Sequence, residues 1–260
     1  MLGPAWQGDP DDLVSAIMAA GYGGIEITDI MIGRYADQPR AFAEKLQAAG
    51  LKLVAFSIGS ETGFSEADGQ RSDLENCRHW VEFVTYFPGT ILSLGSATAM
   101  TEGDRGAKIS VAAEIYNKAS EIAAASGVAV AVHPSSHANT LLFDRQDYDH
   151  LFDQLDPGVG WVPDTGHMLR GGLDLDESLV TYLDRVRYLH LKDVDADGVW
   201  AMLGDGICDI GKTIETVACG PQFNGWIVAE EESQSAVNNP ERAISINLKT
   251  LISIANSGHN

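Results

Sequence analysis

The chain has 260 residues, a hydrophobic fraction of 45% and a formal net charge of −20 at pH 7. No apolar run approaches the roughly 18 residues that span a bilayer, and an acidic surface repels nucleic-acid phosphates and anionic membranes unless a basic patch intervenes. No basic cluster or signal peptide is visible, so composition predicts a soluble, cytoplasmic protein that binds neither nucleic acid nor membrane.

Seven short apolar segments are predicted to be strands, because they are rich in β-branched or aromatic residues and bounded by Gly, Pro or Asp. They are residues 23–29, 51–59, 90–96, 128–134, 159–167, 186–193 and 225–232. Their lack of strict polar alternation is typical of parallel strands buried on both faces. Residues 2–6, LGPAW, could form a shortened strand ahead of them.

Amphipathic segments with apolar residues three and four apart separate the strands and predict helices. They are residues 11–22, 39–50, 71–87, 105–126, 146–155, 176–185, 210–219 and 240–255. This alternation predicts an α/β fold, a (β/α)8 TIM barrel with a short or incomplete first strand. A doubly wound open sheet competes with it, but no G-x-G-x-x-G follows the first clear strand. No linker divides the chain, so one domain over residues 1–260 is expected.

Polar residues collect at the predicted carboxyl ends of the strands, where barrels of this kind carry their functional groups. Side-chain alternation brings His133, Asp164, His190 and Glu230 to one mouth of the barrel. Alone, each residue could equally make a structural hydrogen bond, close a turn or cap a helix, or begin a solvated acidic loop. Their coincidence at four strand ends predicts a metal site, since two imidazoles and two carboxylates suit several divalent ions.

Several motifs resemble the xylose-isomerase-like TIM barrels, a superfamily of sugar phosphate isomerases, epimerases and inosose dehydratases. The motifs are GYGGIEI, VPDTGH, YLHLKD, LGDGICDI and GWIVAEE. The resemblance implies one divalent metal (Mn²⁺, Co²⁺, Zn²⁺, Mg²⁺ or Fe²⁺), held here by Asp164, His190 and Glu230. The fourth ligand of the family lies on the fifth barrel strand, which is residues 128–134 when residues 2–6 are counted as the first strand. It is usually Glu, and His133 is the candidate here. A three-ligand site completed by water or substrate stays open.

The same resemblance implies further site residues, each with a structural alternative. His167 would contact substrate oxygens, or else lie near the start of a helix. Lys192 and Asp193 would bind substrate or hold the ligands in place. Glu26 would face the mouth or form a buried ion pair. Asp205 would lie near the substrate on a Gly-rich loop.

One segment carries a departure from the resemblance. Residues 137–152 are similar to the H-x-G-T segment of inosose dehydratases, but Asn139 stands where that segment has Gly.

The resemblance implies a metal-dependent isomerase, epimerase or dehydratase that acts on a keto-sugar or keto-cyclitol through an enediolate intermediate. Glu230 and His133 would share the proton transfers, or Lys192 would contribute. Within the lyases, the alternatives are inosose dehydration and a related elimination on a 3-keto-glycoside.

Two other functional classes stay open at this point. One is a non-catalytic barrel that binds sugars or a partner subunit, since fold does not fix function. The other, an AP-endonuclease-like nuclease, is disfavoured by the acidic charge. An incomplete first strand would expose a sheet edge that a second copy could cover, so a homo-oligomer is also an alternative.

Overall fold

A computed structural model describes residue 6 and residues 8–257. Seven parallel strands follow one another around a barrel, and each overlaps one of the seven predicted segments. They are β1 (Gly24–Thr28), β2 (Lys52–Ile58), β3 (Ile91–Leu94), β4 (Ala129–Val132), β5 (Val159–Trp161), β6 (Leu189–Leu191) and β9 (Ile227–Ala229). Between β6 and β9, β7 (Asp193–Val194) and β8 (Trp200–Ala201) form an antiparallel hairpin that the sequence did not predict.

The strand order follows the chain. Strands β1 to β5 form one parallel sheet, parallel bridges connect the β5 and β6 segments, and β6 pairs with β9. Between β9 and β1 lies a cavity of about 190 Å³, lined in part by Gly24, Ile25, Trp226 and Ile227. Of the predicted first strand, residues 2–5 lie outside the described residues, and Trp6 is not in a strand. The (β/α)8 barrel prediction is confirmed.

Helices cover the outside of the barrel, and all eight predicted helices are present. They are α1 (Pro10–Ala20), α2 (Pro39–Ala49), α3 (Gln70–Val84), α4 (Arg105–Ala124), α5 (Arg145–Phe152), α7 (Leu175–Thr181), α8 (Ile210–Ala218) and α10 (Pro240–Ser257). Two short helices were not predicted: α6 (Thr165–Arg170), whose first residues were assigned to a strand, and α9 (Gln234–Asn238). None of the helices in the described chain has the length and apolarity needed to span a membrane.

Side-chain alternation divides the core into two layers. The barrel interior holds a small apolar cluster of Val54, Ala55, Ile91, Ala131, Val162, Tyr188 and Val228. The larger core lies between strands and helices and includes Leu189 and Leu191. His190 of β6 and Tyr188, the residue before this strand, therefore point inward, and the two leucines of β6 point outward, as the alternation predicted. The small interior cluster forms the floor below the polar strand ends.

The backbone at Asn139 accounts for the departure noted in the 137–152 segment. Its φ is 63°, in the left-handed region, and it lies in a short bridge between the loops after β3 and β4. Glycine adopts this conformation freely, and asparagine is among the few other residues that tolerate it. The position therefore constrains backbone conformation, and asparagine is compatible with that constraint.

We expect Asn139→Val to destabilise the protein by about 1–2 kcal/mol, because a β-branched residue is strained at this φ. Asn139→Gly should stay within about 0.5 kcal/mol of wild type. Denaturant unfolding of the three proteins measures the difference. Equal stability of the Val and Gly variants would contradict a backbone constraint at this position.

Candidate metal centre

Four side chains converge at the carboxyl ends of the strands. His133 follows β4, Asp164 follows β5, His190 lies in β6 and Glu230 follows β9. One ligand atom from each lies within 4.8 Å of the others. His190 Nδ1 is 2.5 Å from Glu230 Oε2 and 2.9 Å from His133 Nε2. The structure thus brings together all four residues that the sequence proposed as ligands.

Asp164 shows that this cluster fits a cation. Its Oδ1 accepts a hydrogen bond of 2.7 Å from the backbone N–H of His167, which caps helix α6. Its Oδ2 is buried without a hydrogen-bond partner, 3.8 Å from His133 Nε2 and from His190 Nδ1. Buried carboxylate oxygens are rarely left unpaired. A divalent ion among these donors would satisfy the oxygen, so Asp164 is both a helix cap and a candidate ligand.

Glu26 holds His190 from the side opposite the cluster. Its Oε2 lies 2.6 Å from His190 Nε2, and its Oε1 accepts hydrogen bonds from Ser57 Oγ and Tyr188 OH. Both Glu26 and His190 are buried. A carboxylate bound to the outer nitrogen of a ligating histidine fixes the ring orientation. This supports the buried-pair alternative for Glu26, which does not line the cavity above the cluster.

Electrostatics makes the cluster attractive to a cation. Burial and the neighbouring Glu230 carboxylate raise the pKa of Asp164 to about 6. Burial lowers the pKa of His190, but Glu26 and Glu230 outweigh it and raise that pKa to about 10. For Glu230, burial is outweighed by Lys192 and the two imidazoles, so its pKa lies well below its usual value. The raised pKa values of Asp164 and His190 therefore have one cause, carboxylates crowded in a buried site, whose charge a positive centre stabilises.

Lys192 is buried beside the cluster and connects it to His167. Its Nζ lies 3.1 Å from Glu230 Oε1, 3.0 Å from Glu232 Oε2 and 3.2 Å from His167 Nε2. The same ammonium stands 4.1 Å from the centre of the Trp200 ring. Burial lowers the pKa of Lys192, but the surrounding carboxylates outweigh burial and raise it. The ammonium therefore neutralises Glu230 and Glu232 at the mouth of the barrel.

His167 is oriented to donate into the cavity. The backbone N–H of Ser136 donates to its Nδ1 at 3.0 Å, so a neutral ring carries its proton on Nε2. Burial and the Lys192 ammonium hold its pKa well below the usual value, which keeps the ring neutral. Two donors, His167 Nε2–H and Lys192 Nζ, then face each other. A substrate oxygen placed to accept from both would satisfy them.

Asp193 and Asp205 do not join the cluster. The Asp193 carboxylate is buried and accepts hydrogen bonds from four backbone N–H groups. The donors are the N–H groups of Val194, Gly204, Gly206 and Cys208. Asp193 therefore anchors the Gly-rich loop. Asp205 is exposed on that loop, and neither residue lines the cavity above the cluster, so the structure does not support direct substrate contacts for them.

A cavity of about 310 Å³ opens above the cluster. Its polar lining includes Thr28, Asp29, Ser57, Ser93, Ser96, Ser135, His133, His137, His167, Glu230 and Glu232. The sequence did not single out the serine and threonine positions, although hydroxyl residues at the last or penultimate position of strands β1, β2 and β3 are a usable signal. Glu230 and Glu232 do not belong to a solvated loop, because both are largely buried and contact Lys192.

Comparisons with known proteins agree with this architecture. The family model described as xylose isomerase-like TIM barrel matches residues 14–254. An inosose dehydratase of Geobacillus kaustophilus (strain HTA426) is 26% identical over 270 aligned residues, which cover 88% of this chain and 82% of the relative.

Two solved structures share the fold. The IOLI protein with a binding zinc atom superposes with a TM-score of 0.79 at 17% identity, over 95% of this chain and 93% of its own. The 3-keto-D-glucoside 4-epimerase YcjR from E. coli gives a TM-score of 0.77 at 15% identity, over 95% and 97%. At these identities the likeness concerns the fold.

Glu26→Gln should weaken divalent-metal binding by about 10- to 100-fold. The neutral amide lacks the negative charge with which Glu26 holds the His190 ring in place. Calorimetric titration of the metal-stripped protein with Mn²⁺ or Zn²⁺ measures this effect. Glu231→Gln is the matched control, since Glu231 is also buried but bonds to Asn247 and Ser233. Equal metal affinity of Glu26→Gln and wild type would contradict the role of Glu26.

Proposed function

Because the chain belongs to the xylose isomerase-like TIM barrel family, we propose that it is a divalent-metal-dependent isomerase, epimerase or dehydratase. Its substrate is a keto-sugar or keto-cyclitol. The observation that carries this proposal is the unpartnered Oδ2 of Asp164, enclosed by two imidazoles and a second carboxylate. The inosose dehydratase relative supports the lyase version, and the keto-glucoside epimerase neighbour supports the epimerase version.

His133, Asp164, His190 and Glu230 would hold one divalent ion. When bound, the ion acts as a Lewis acid on a substrate carbonyl and an adjacent hydroxyl, which acidifies the neighbouring C–H. Nitrogen and oxygen donors of this kind suit Mn²⁺, Co²⁺, Zn²⁺ or Fe²⁺, Mg²⁺ is a further candidate, and the zinc in the IOLI protein supports a divalent ion.

The chain's own groups then move the protons. Glu230 and His133 would take a proton from the substrate carbon and return it, with an enediolate in between. Return of the proton to the neighbouring carbon yields an isomer, and return to the opposite face of the same carbon yields an epimer. If the abstracted proton is instead given to a β-hydroxyl, that group leaves as water and the dehydrated product forms. His167 and Lys192 would donate hydrogen bonds to the substrate oxygen that gains negative charge.

Removal of the metal should abolish turnover. We expect the chelator-stripped protein to convert 2-keto-myo-inositol or a keto-sugar at least about 100-fold more slowly than the loaded protein, since Lewis-acid stabilisation contributes several kcal/mol. Loss of water detected by mass spectrometry separates the lyase from the isomerase reaction. Unchanged turnover of a rigorously metal-free preparation would overturn the proposed mechanism.

Two variants at position 133 separate a four-ligand from a three-ligand site. His133→Ala should bind the metal at least about 10-fold more weakly, whereas His133→Glu should stay within about 10-fold of wild type because it restores a carboxylate donor. Metal titration of both variants by calorimetry provides the measurement. Wild-type affinity of His133→Ala would favour three protein ligands and a water molecule.

A further inference from the structure

A second cavity of about 490 Å³ adjoins the cavity above the cluster. The second cavity is lined by Asp29, Ile30, Gly59, Ser60, Glu61, Ser72, Asp73 and Asn76. Three of these residues, Asp29, Ile30 and Gly59, line the first cavity as well and form a common rim. Both cavities open to solvent, so a molecule bound over the cluster can continue across this rim.

The rim is rigid at its base and open above. Asp29 accepts hydrogen bonds from the N–H groups of Ile30 at 2.8 Å and Gly59 at 3.1 Å, which fixes the two loops together. A Cβ added at Gly59 would meet nothing within 4 Å. The side chain of Ile30 is 89% exposed, which makes it an apolar surface beside this open space.

The second cavity carries groups that bind hydroxyls. Glu61 and Ser72 are exposed, and Asn76 is half-buried at the first turns of α3. Asn76 Nδ2 donates to the Gly59 carbonyl at 3.3 Å and Ser72 Oγ to the Gly69 carbonyl at 2.9 Å, which leaves the oxygens of both side chains as acceptors. Carboxylate, hydroxyl and amide oxygens accept hydrogen bonds from the hydroxyl groups of a ligand. No Lys or Arg lines the second cavity within the described part of the chain. A phosphate or carboxylate would be repelled there by Asp29, Glu61 and Asp73.

We propose that the second cavity binds an uncharged, hydroxyl-bearing ring attached to the reacting ring, so that the substrates are glycosides of a keto-sugar. This proposal rests on the proposed function of the metal site. A cavity of 310 Å³ lies at the lower end of ligand sites and suits one ring. The second ring then crosses the rim, packs an apolar face on Ile30 and places its hydroxyls near Glu61 and Asn76.

Two substrates with the same reacting ring test the proposal. One is methyl 3-keto-β-D-glucoside, and the other is 3-keto-cellobiose, which has a glucosyl unit in place of the methyl group. We expect the metal-loaded wild type to favour the two-ring substrate by about 10-fold in kcat/KM. The net free energy of about two hydrogen bonds accounts for a ratio of this size. A ratio near 1 for wild type would overturn the second subsite.

Variants that fill the passage provide the second arm of the test. Gly59→Trp places a large side chain in the open space above the rim without a backbone clash, and Asn76→Trp fills the second cavity itself. Both should reduce the two-ring preference to below about 2-fold. Glu82→Trp, at an exposed position of α3 outside both cavities, is the control and should keep the preference. A preference that survives Gly59→Trp would contradict the proposal.

Binding measurements distinguish an error in the proposed second subsite from an error in the proposed function. Calorimetry gives the Kd of each substrate for the loaded wild type and for Gly59→Trp. If neither substrate reacts, the proposed function fails, and the two-ring preference in Kd still decides the subsite. If both react equally well and bind equally tightly, the proposed function stands and the subsite is wrong.

Discussion

The hydrogen bond between His190 and Glu26 is the interaction on which the rest of the site depends. Glu26 belongs to β1 and His190 to β6, so the bond crosses the interior of the barrel between strands that are not neighbours. It turns Nδ1 of His190 toward Glu230 and Asp164. Because both partners are buried, loss of either leaves an uncompensated buried charge. The cluster, the Lys192 ammonium and the cavity above are arranged around this fixed ring.

The sequence predicted the barrel and the four converging residues for a definite physical reason. Parallel strands end at the same edge of a sheet, and alternation then fixes which side chain of each strand points inward. What the sequence could not predict depends on contacts between distant segments. Asp193 follows a strand end like a site residue, yet its partners are backbone groups eleven or more residues further along the 204–208 loop, besides its neighbour Val194.

The lining of the first cavity is easier to predict from the sequence than the lining of the second. The first is built from strand ends, so its charged lining follows from topology. The second combines the loops after β1 and β2 with the first turns of α3, which have no common motif. A ligand that spans both cavities would contact the metal cluster at the strand ends with one part and the loops with the other. Loops vary more easily than strands, so the proposed second subsite can change while the metal cluster on the strands stays the same.

Asp164 divides its two oxygens between different tasks, and this restricts which acid can occupy the position. One oxygen begins helix α6 and so sets the location of His167, and the other faces the cluster. Aspartate is short enough to cap its own helix, whereas glutamate is not among the preferred cap residues. Glu230 does not cap a helix, so the longer acid can occupy that position. Asp164 is thus the shorter acid because it also begins a helix, and the substitution Asp164→Glu would shift the start of α6 and with it His167.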